Sequence, residues 1–170
     1  MNQAEVNELF AQIKVQFDLH NQSGLVCKQG CYNGCCVLKL QKASWTNDPM
    51  HWIQNRSGIF FSVWTNQASL ENGRILYNIH ALKLRELKGH TIASRDFARD
   101  FRERFENVRE KWPNVQVDRG PATLMEGWVQ TAPHPVEKKI LHLMERFIHL
   151  SPMVDDLLQA RQNRPDFGRR

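Results

Sequence analysis

The chain has no apolar run long enough to cross a bilayer. Its longest, such as Gly58-Ile-Phe-Phe-Ser-Val-Trp64, fall far short of the roughly 20 residues that a helical span needs. An apolar export signal is also missing, because the first ten residues, Met-Asn-Gln-Ala-Glu-Val-Asn-Glu-Leu-Phe, are polar and acidic. A cytoplasmic protein without a membrane partner is therefore expected. Cysteine is scarce: there are four, all between positions 27 and 36. There is no phosphate-cradling glycine loop, no His-Glu-x-x-His, no Gly-x-Ser-x-Gly and no dinucleotide fingerprint, which removes the enzyme classes those motifs serve. Repeats, low-complexity tracts and internal domain boundaries are absent as well.

What remains is the make-up of one ordinary domain. The 170 residues are 41% hydrophobic and 24% charged, enough apolar material for a real core. Five tryptophans exceed what a small core commonly needs, so self-association through some of them is conceivable. The net charge of +5 suits an anionic partner without specifying one. A single domain over 1–162 with a flexible basic tail over 163–170 accounts for the length.

Periodicity supplies the elements. Val6, Leu9, Phe10, Ile13 and Phe17 recur at helical spacing behind an Asn2…Glu5 capping box. Four β-rich segments follow, near 24–32, 35–43, 58–65 and 74–84. Between them lies a polar connection whose Trp45 and Trp52 are expected to lie over the core. A second helix is expected from an N-cap at Ser94 to Trp112, with Phe97, Phe101, Phe105, Val108 and Trp112 as its apolar stripe. Two further strands near 115–119 and 122–131 and a helix over 135–150 come next. Ser151-Pro152 reads as the start of a short fourth helix, with Asp155 and Asp156 near its positive end. Short connections between neighbouring strands favour an α+β domain, a mostly antiparallel sheet of five to six strands with helices on one face.

The cysteines are best read through Asn33-Gly34. Flanked by strand-like residues, that dipeptide predicts a two-residue type I′ turn, whose two central positions both need positive φ. Tyr32 then pairs with Cys35, Cys31 with Cys36, and Cys27 with Leu40. Alternation sends Cys27, Cys31 and Cys36 to the apolar face and Cys35 to the other. In a strand Cys27 and Cys31 stand ~13 Å apart, whereas sulfurs on one zinc lie about 4 Å apart. Buried thiols are thus preferred to a metal or any other cofactor. A four-cysteine site of Cys27, Cys31, Cys35 and Cys36 is the alternative, and Cys31 and Cys36 are close enough to form a disulfide under oxidising conditions. Reduced thiols are the expectation.

The element order invites comparison with restriction-type nuclease cores, but those need carboxylates on central strands to hold Mg²⁺. Segments 35–43, 58–65 and 74–84 contain no Asp or Glu. A catalytic alternative would have to use His80 as a base, Glu126 in its apolar setting, or Cys35 as a nucleophile near His80 or His90.

One polar surface is patterned. Wound at 100° per residue, the second helix gathers Arg95, Arg99, Arg102 and Arg109 on one flank, and Lys83, Arg85, Lys88 and His90 lie just ahead of it. Guanidinium forks suit phosphate oxygens, while pairs such as Arg99–Glu103 and Arg102–Glu106 fit a solvated face. The expectation is a non-catalytic binding or regulatory module that uses this flank for nucleic acid or an acidic protein. Arg99→Glu with Arg102→Glu is expected to abolish binding and spare the fold.

Overall fold

A computed structural model describes residues 1–51 and 57–163, so Trp52 and the tail from 164 lie outside the described residues. The first helix, α1 (Gln3–His20), starts on the expected capping box: Asn2 Oδ1 accepts from Glu5 N and Glu5 Oε2 accepts from Asn2 N. Its Val6, Phe10, Ile13 and Phe17 are buried. Five strands follow in chain order, β1 (Val26–Tyr32), β2 (Cys35–Gln41), β3 (Gly58–Thr65), β4 (Arg74–Leu82) and β5 (Thr123–Gln130). Each pairs antiparallel with its sequence neighbour, giving one sheet of order β1-β2-β3-β4-β5. A short helix, α2 (Gln67–Glu71), links β3 to β4; α3 (Ser94–Phe105) precedes β5, and α4 (Val136–Gln159) closes the fold. The fold is the expected α+β domain, with five strands.

The sheet has two unlike faces. On the inner one Leu38, Leu40, Ile59, Phe61, Val63, Ile75, Tyr77, Ile79 and Met125 are buried under the helices. Phe147 of α4 stacks on Phe61 with centroids 4.5 Å apart, at the centre of the aromatic core. Tyr77 lies against β5 so closely that a Cβ on Gly127 would come within 2.3 Å of its hydroxyl. That hydroxyl donates to Pro113 O at 2.5 Å. Trp45 and Trp112 belong to this core, whereas Trp64 and Trp128 are half-buried on the other face.

Several expected boundaries move. Ser94 does not cap α3; Ala93 stands there and contributes no side-chain bond. The helix ends at Phe105 rather than Trp112, yet Trp112 still reaches Phe105, Phe61 and Tyr77 through a short turn at Arg109–Lys111. The strand expected over 115–119 is reduced to one bridge, Gln116 with Glu126. The short fourth helix does not exist separately, because α4 runs straight through Pro152. Proline deprives Ile148 O of its usual N–H partner, and Ser151 Oγ donates to that oxygen instead, at 2.9 Å. Asp155, consequently mid-helix, receives Trp45 Nε1 at 2.8 Å and Lys42 Nζ, fixing the turn at Ala43–Trp45 against α4. No helix among the described residues is long and apolar enough to cross a membrane.

Candidate functional site

The Asn33-Gly34 turn forms as expected, with φ of 48° and 73°. The register follows: Tyr32 opposite Cys35, Cys31 opposite Cys36, Cys27 opposite Leu40. Cys27 is buried, and burial pushes its thiol up to about 12. Cys31 and Cys36 are joined in a disulfide, which corrects the expectation of reduced thiols. Two sulfurs opposite each other with Cα atoms 4.2 Å apart are within bonding reach. Cys31 is exposed although it shares the face of buried Cys27 and Cys36, because it lies near the hairpin tip beyond the sheet's covered centre. The four-cysteine alternative is not assembled: two sulfurs are bonded together, Cys35 projects to the outer face, and Cys27 sits further along β1. No cluster of three metal-ligating side chains occurs among the described residues.

The catalytic alternative is brought together only in part: His80 and Glu126 share one face of neighbouring strands, with Glu126 opposite Asn78 and His80 opposite Thr123, while Cys35 is remote from both. His80 Nδ1 lies 3.3 Å from both Ala122 O and Thr123 Oγ1, and its ring meets Phe60 edge-on. Glu126 accepts from Arg119 Nε at 2.6 Å. Cys35 is at the hairpin end of β2, the opposite end of the sheet from the Phe60–His80 pair, as the strand registers require. His90 lies in the loop before α3, its Nδ1 3.0 Å from Lys88 O.

The cationic residues divide into two kinds. Arg102, partly buried, donates to the carbonyls of Gly120 at 2.6 Å, Thr123 at 3.0 Å and Leu124 at 3.3 Å, so it holds the loop before β5. Desolvation lowers its pKa. Arg99 is held by Asp96 at 2.9 Å and Asp100 at 3.1 Å, not by the Glu103 that its spacing suggested. Arg109 lies beyond the end of α3 and pairs with Glu106 at 3.3 Å. Arg161, just past the end of α4, also binds Asp100 and has its guanidinium 5.3 Å from the Phe97 ring centroid. By contrast, the side chains of Lys83, Arg85, Lys88 and Arg95 are exposed and make no hydrogen bond or ion pair among the described residues.

Two shallow concavities meet at Pro121 between α3 and the loop before β5. One, about 460 Å³, is lined by Arg95, Arg99, Arg102, Glu103 and Gly120. The other, about 370 Å³, is lined by Ala81, Leu82, Lys83, Ser94 and Ala122. Lys83 is placed there by a left-handed backbone turn (φ 54°) that ends β4, and Ser94 opens a helix without a side-chain cap. Thus Lys83 and Arg95 face adjoining hollows beside helix N–H groups that α3 itself cannot satisfy. No family model, curated protein or solved structure matches the chain.

Proposed function

We propose that the chain is a non-catalytic binding module for a phosphate-bearing polymer, with single-stranded nucleic acid as its partner. The observation that carries this reading is the pair of hollows meeting at Pro121, where Lys83 and Arg95 carry uncommitted charge next to an uncapped helix start. Exposed Arg85 and Lys88 carry the same sign of charge in the connection between β4 and α3. Phosphate oxygens match this chemistry, because the amides and the guanidinium fork both donate to anionic oxygen. Arg99 and Arg102 frame the surface and keep their own partners, whereas Arg109 lies past the other end of α3.

The test is fluorescence anisotropy with a labelled single-stranded oligonucleotide across a salt series. Binding is expected to weaken steeply with salt, with a log–log slope of about −0.7 for each phosphate neutralised. Lys83→Glu with Arg95→Glu should weaken binding at least tenfold and leave the melting temperature unchanged. Salt-insensitive binding, or none at micromolar protein in low salt, refutes the proposal. Displacement by an acidic polypeptide at equal charge would reassign the surface to an acidic protein.

A further inference from the structure

The disulfide plays no part in that binding surface. It lies at the far end of the sheet, where the Asn33-Gly34 turn meets the start of α1. The two cysteines are five residues apart in sequence, and the turn and the β1–β2 ladder already hold them opposite each other. A cross-link that closes so short a loop removes less freedom from the unfolded chain than one closing a long loop. Stability alone gives little reason for placing it here.

Three observations bear on what it does. First, the sulfurs are unequally accessible: Cys31 is exposed, whereas Cys36 is 2% exposed. Second, Cys31 and Cys36 form part of the wall of an open concavity of about 420 Å³, with Gln3, Asn7 and Asn33 among its other lining residues. Gln3 Nε2 donates across it to Gly34 O at 2.5 Å, so its rim carries amide groups. Third, each sulfur faces a hydrogen-bond acceptor. Asn7 Oδ1 lies 3.2 Å from Cys31 Sγ, and Gln3 O lies 3.6 Å from Cys36 Sγ. A disulfide has no proton to donate, so only the dithiol can use these two contacts, although Asn7 Oδ1 also accepts from Gln29 Nε2 and Gln3 O is a helix carbonyl. The surroundings accommodate both redox forms.

We propose that Cys31–Cys36 is a reversible thiol–disulfide exchange site that reacts through Cys31 with a low-molecular-weight peptide thiol. The incoming thiolate attacks Cys31 Sγ, the exposed sulfur. The Cys31–Cys36 bond breaks, and Cys36 leaves with the electron pair and takes a proton from water; the resulting S–H hydrogen-bonds to Gln3 O. A second peptide thiolate then attacks the non-protein sulfur of the mixed disulfide. That releases Cys31 as a thiolate, which is protonated and donates to Asn7 Oδ1, together with the oxidised peptide disulfide. The protein gains two electrons and two protons; two peptide thiols supply them. The amide-lined hollow suits the peptide part of such a thiol. Buried Cys27, with its raised pKa, stays out of the exchange, and Cys35 faces away from it.

The test equilibrates the full chain in buffers of reduced and oxidised glutathione, quenches with acid, and counts thiols by alkylation and mass spectrometry after unfolding. Two free thiols per chain are expected at the oxidised end and four at the reduced end, with the lost pair mapped to Cys31 and Cys36. Cys36→Ser should accumulate a single glutathione adduct on Cys31, and Cys31→Ser should accumulate none on Cys36 under native conditions. Four free thiols at every ratio would overturn the proposal. So would a disulfide that glutathione reduces only after denaturation, or an adduct formed first on Cys35. The wild-type titration decides the matter even if either variant fails to fold.

Discussion

At the scale of single residues, the structure separates charges that look alike in sequence. Arg102→Ala leaves one loop carbonyl, that of Gly120, and two at the start of β5, those of Thr123 and Leu124, without this donor. It should cost about 2 kcal/mol in urea unfolding, whereas Arg95→Ala should change stability by less than about 0.5 kcal/mol. The Arg99→Glu, Arg102→Glu pair is therefore expected to cost stability as well as binding, because Arg102 ties α3 to Gly120, Thr123 and Leu124. Lys39 behaves differently again. Nearly buried on β2, with its ammonium 4.0 Å from the Phe60 ring centroid, it is pulled by burial from 10.5 down to about 8. Below pH 8 both folded and unfolded chains carry that proton, and the folded one bears the full desolvation penalty. Above pH 8 the unfolded chain binds more protons, so stability rises with pH. Cys27 acts in the opposite sense above 9, where the unfolded chain loses a thiol proton that the folded chain keeps up to about 12. Chemical unfolding should therefore show stability rising between pH 8 and 9, levelling off between 9 and 10.5 where the two effects offset each other, and falling above 10.5. Lys39→Met should erase the rise and add about 1 kcal/mol at pH 7. Sequence alone marks Lys39 as a polar residue on an outward face; the low dielectric around it comes from neighbours distant in the chain.

At the scale of elements, most of the fold was legible. The capping box, the hairpin with its register, the four strands from 26 to 82 and the apolar stripe of Phe97, Phe101 and Phe105 all follow from local pattern. Local signals misled where a tertiary partner overrode them. Ser151-Pro152 has the composition of a helix start, but Ser151 supplies the donor that Pro152 lacks and the helix continues. Ser151→Ala should thus lower the melting temperature by about 3 °C. In a Pro152→Ala background, where a backbone N–H reaches Ile148 O, the same change should be nearly neutral. Equal losses in the two backgrounds would refute this account. The five-residue α2, with Ser69 as its only buried residue, was too short to carry a periodic signal. Trp112 illustrates the converse, since its spacing identified a core residue even though the helix implied by that spacing stops at Phe105.

At the scale of the whole molecule, the net charge of +5 raises encounter rates with a polyanion, but the local surface decides what remains bound. The cationic stretch from 83 to 109 was legible in sequence as composition. Which of its members are occupied was not, because the carbonyls of Gly120, Thr123 and Leu124 meet Arg102 only after β5 closes the sheet. The disulfide pairing was legible as geometry, whereas the placement of Asn7 and Gln3 of α1 beside the two sulfurs was not, because it depends on how that helix docks on the hairpin. The sheet itself has a kinetic consequence. The β1–β2, β2–β3 and β3–β4 ladders join strands near one another in the chain and can zip from a nearby nucleus without waiting for a remote segment to diffuse home, whereas β5 returns to β4 only past the whole of α3. The slow search is left to β5 and to the last helix, whose Phe147 must find Phe61 across about half of the polypeptide, so the topology predisposes the domain to assemble its first four strands early and seal its core late.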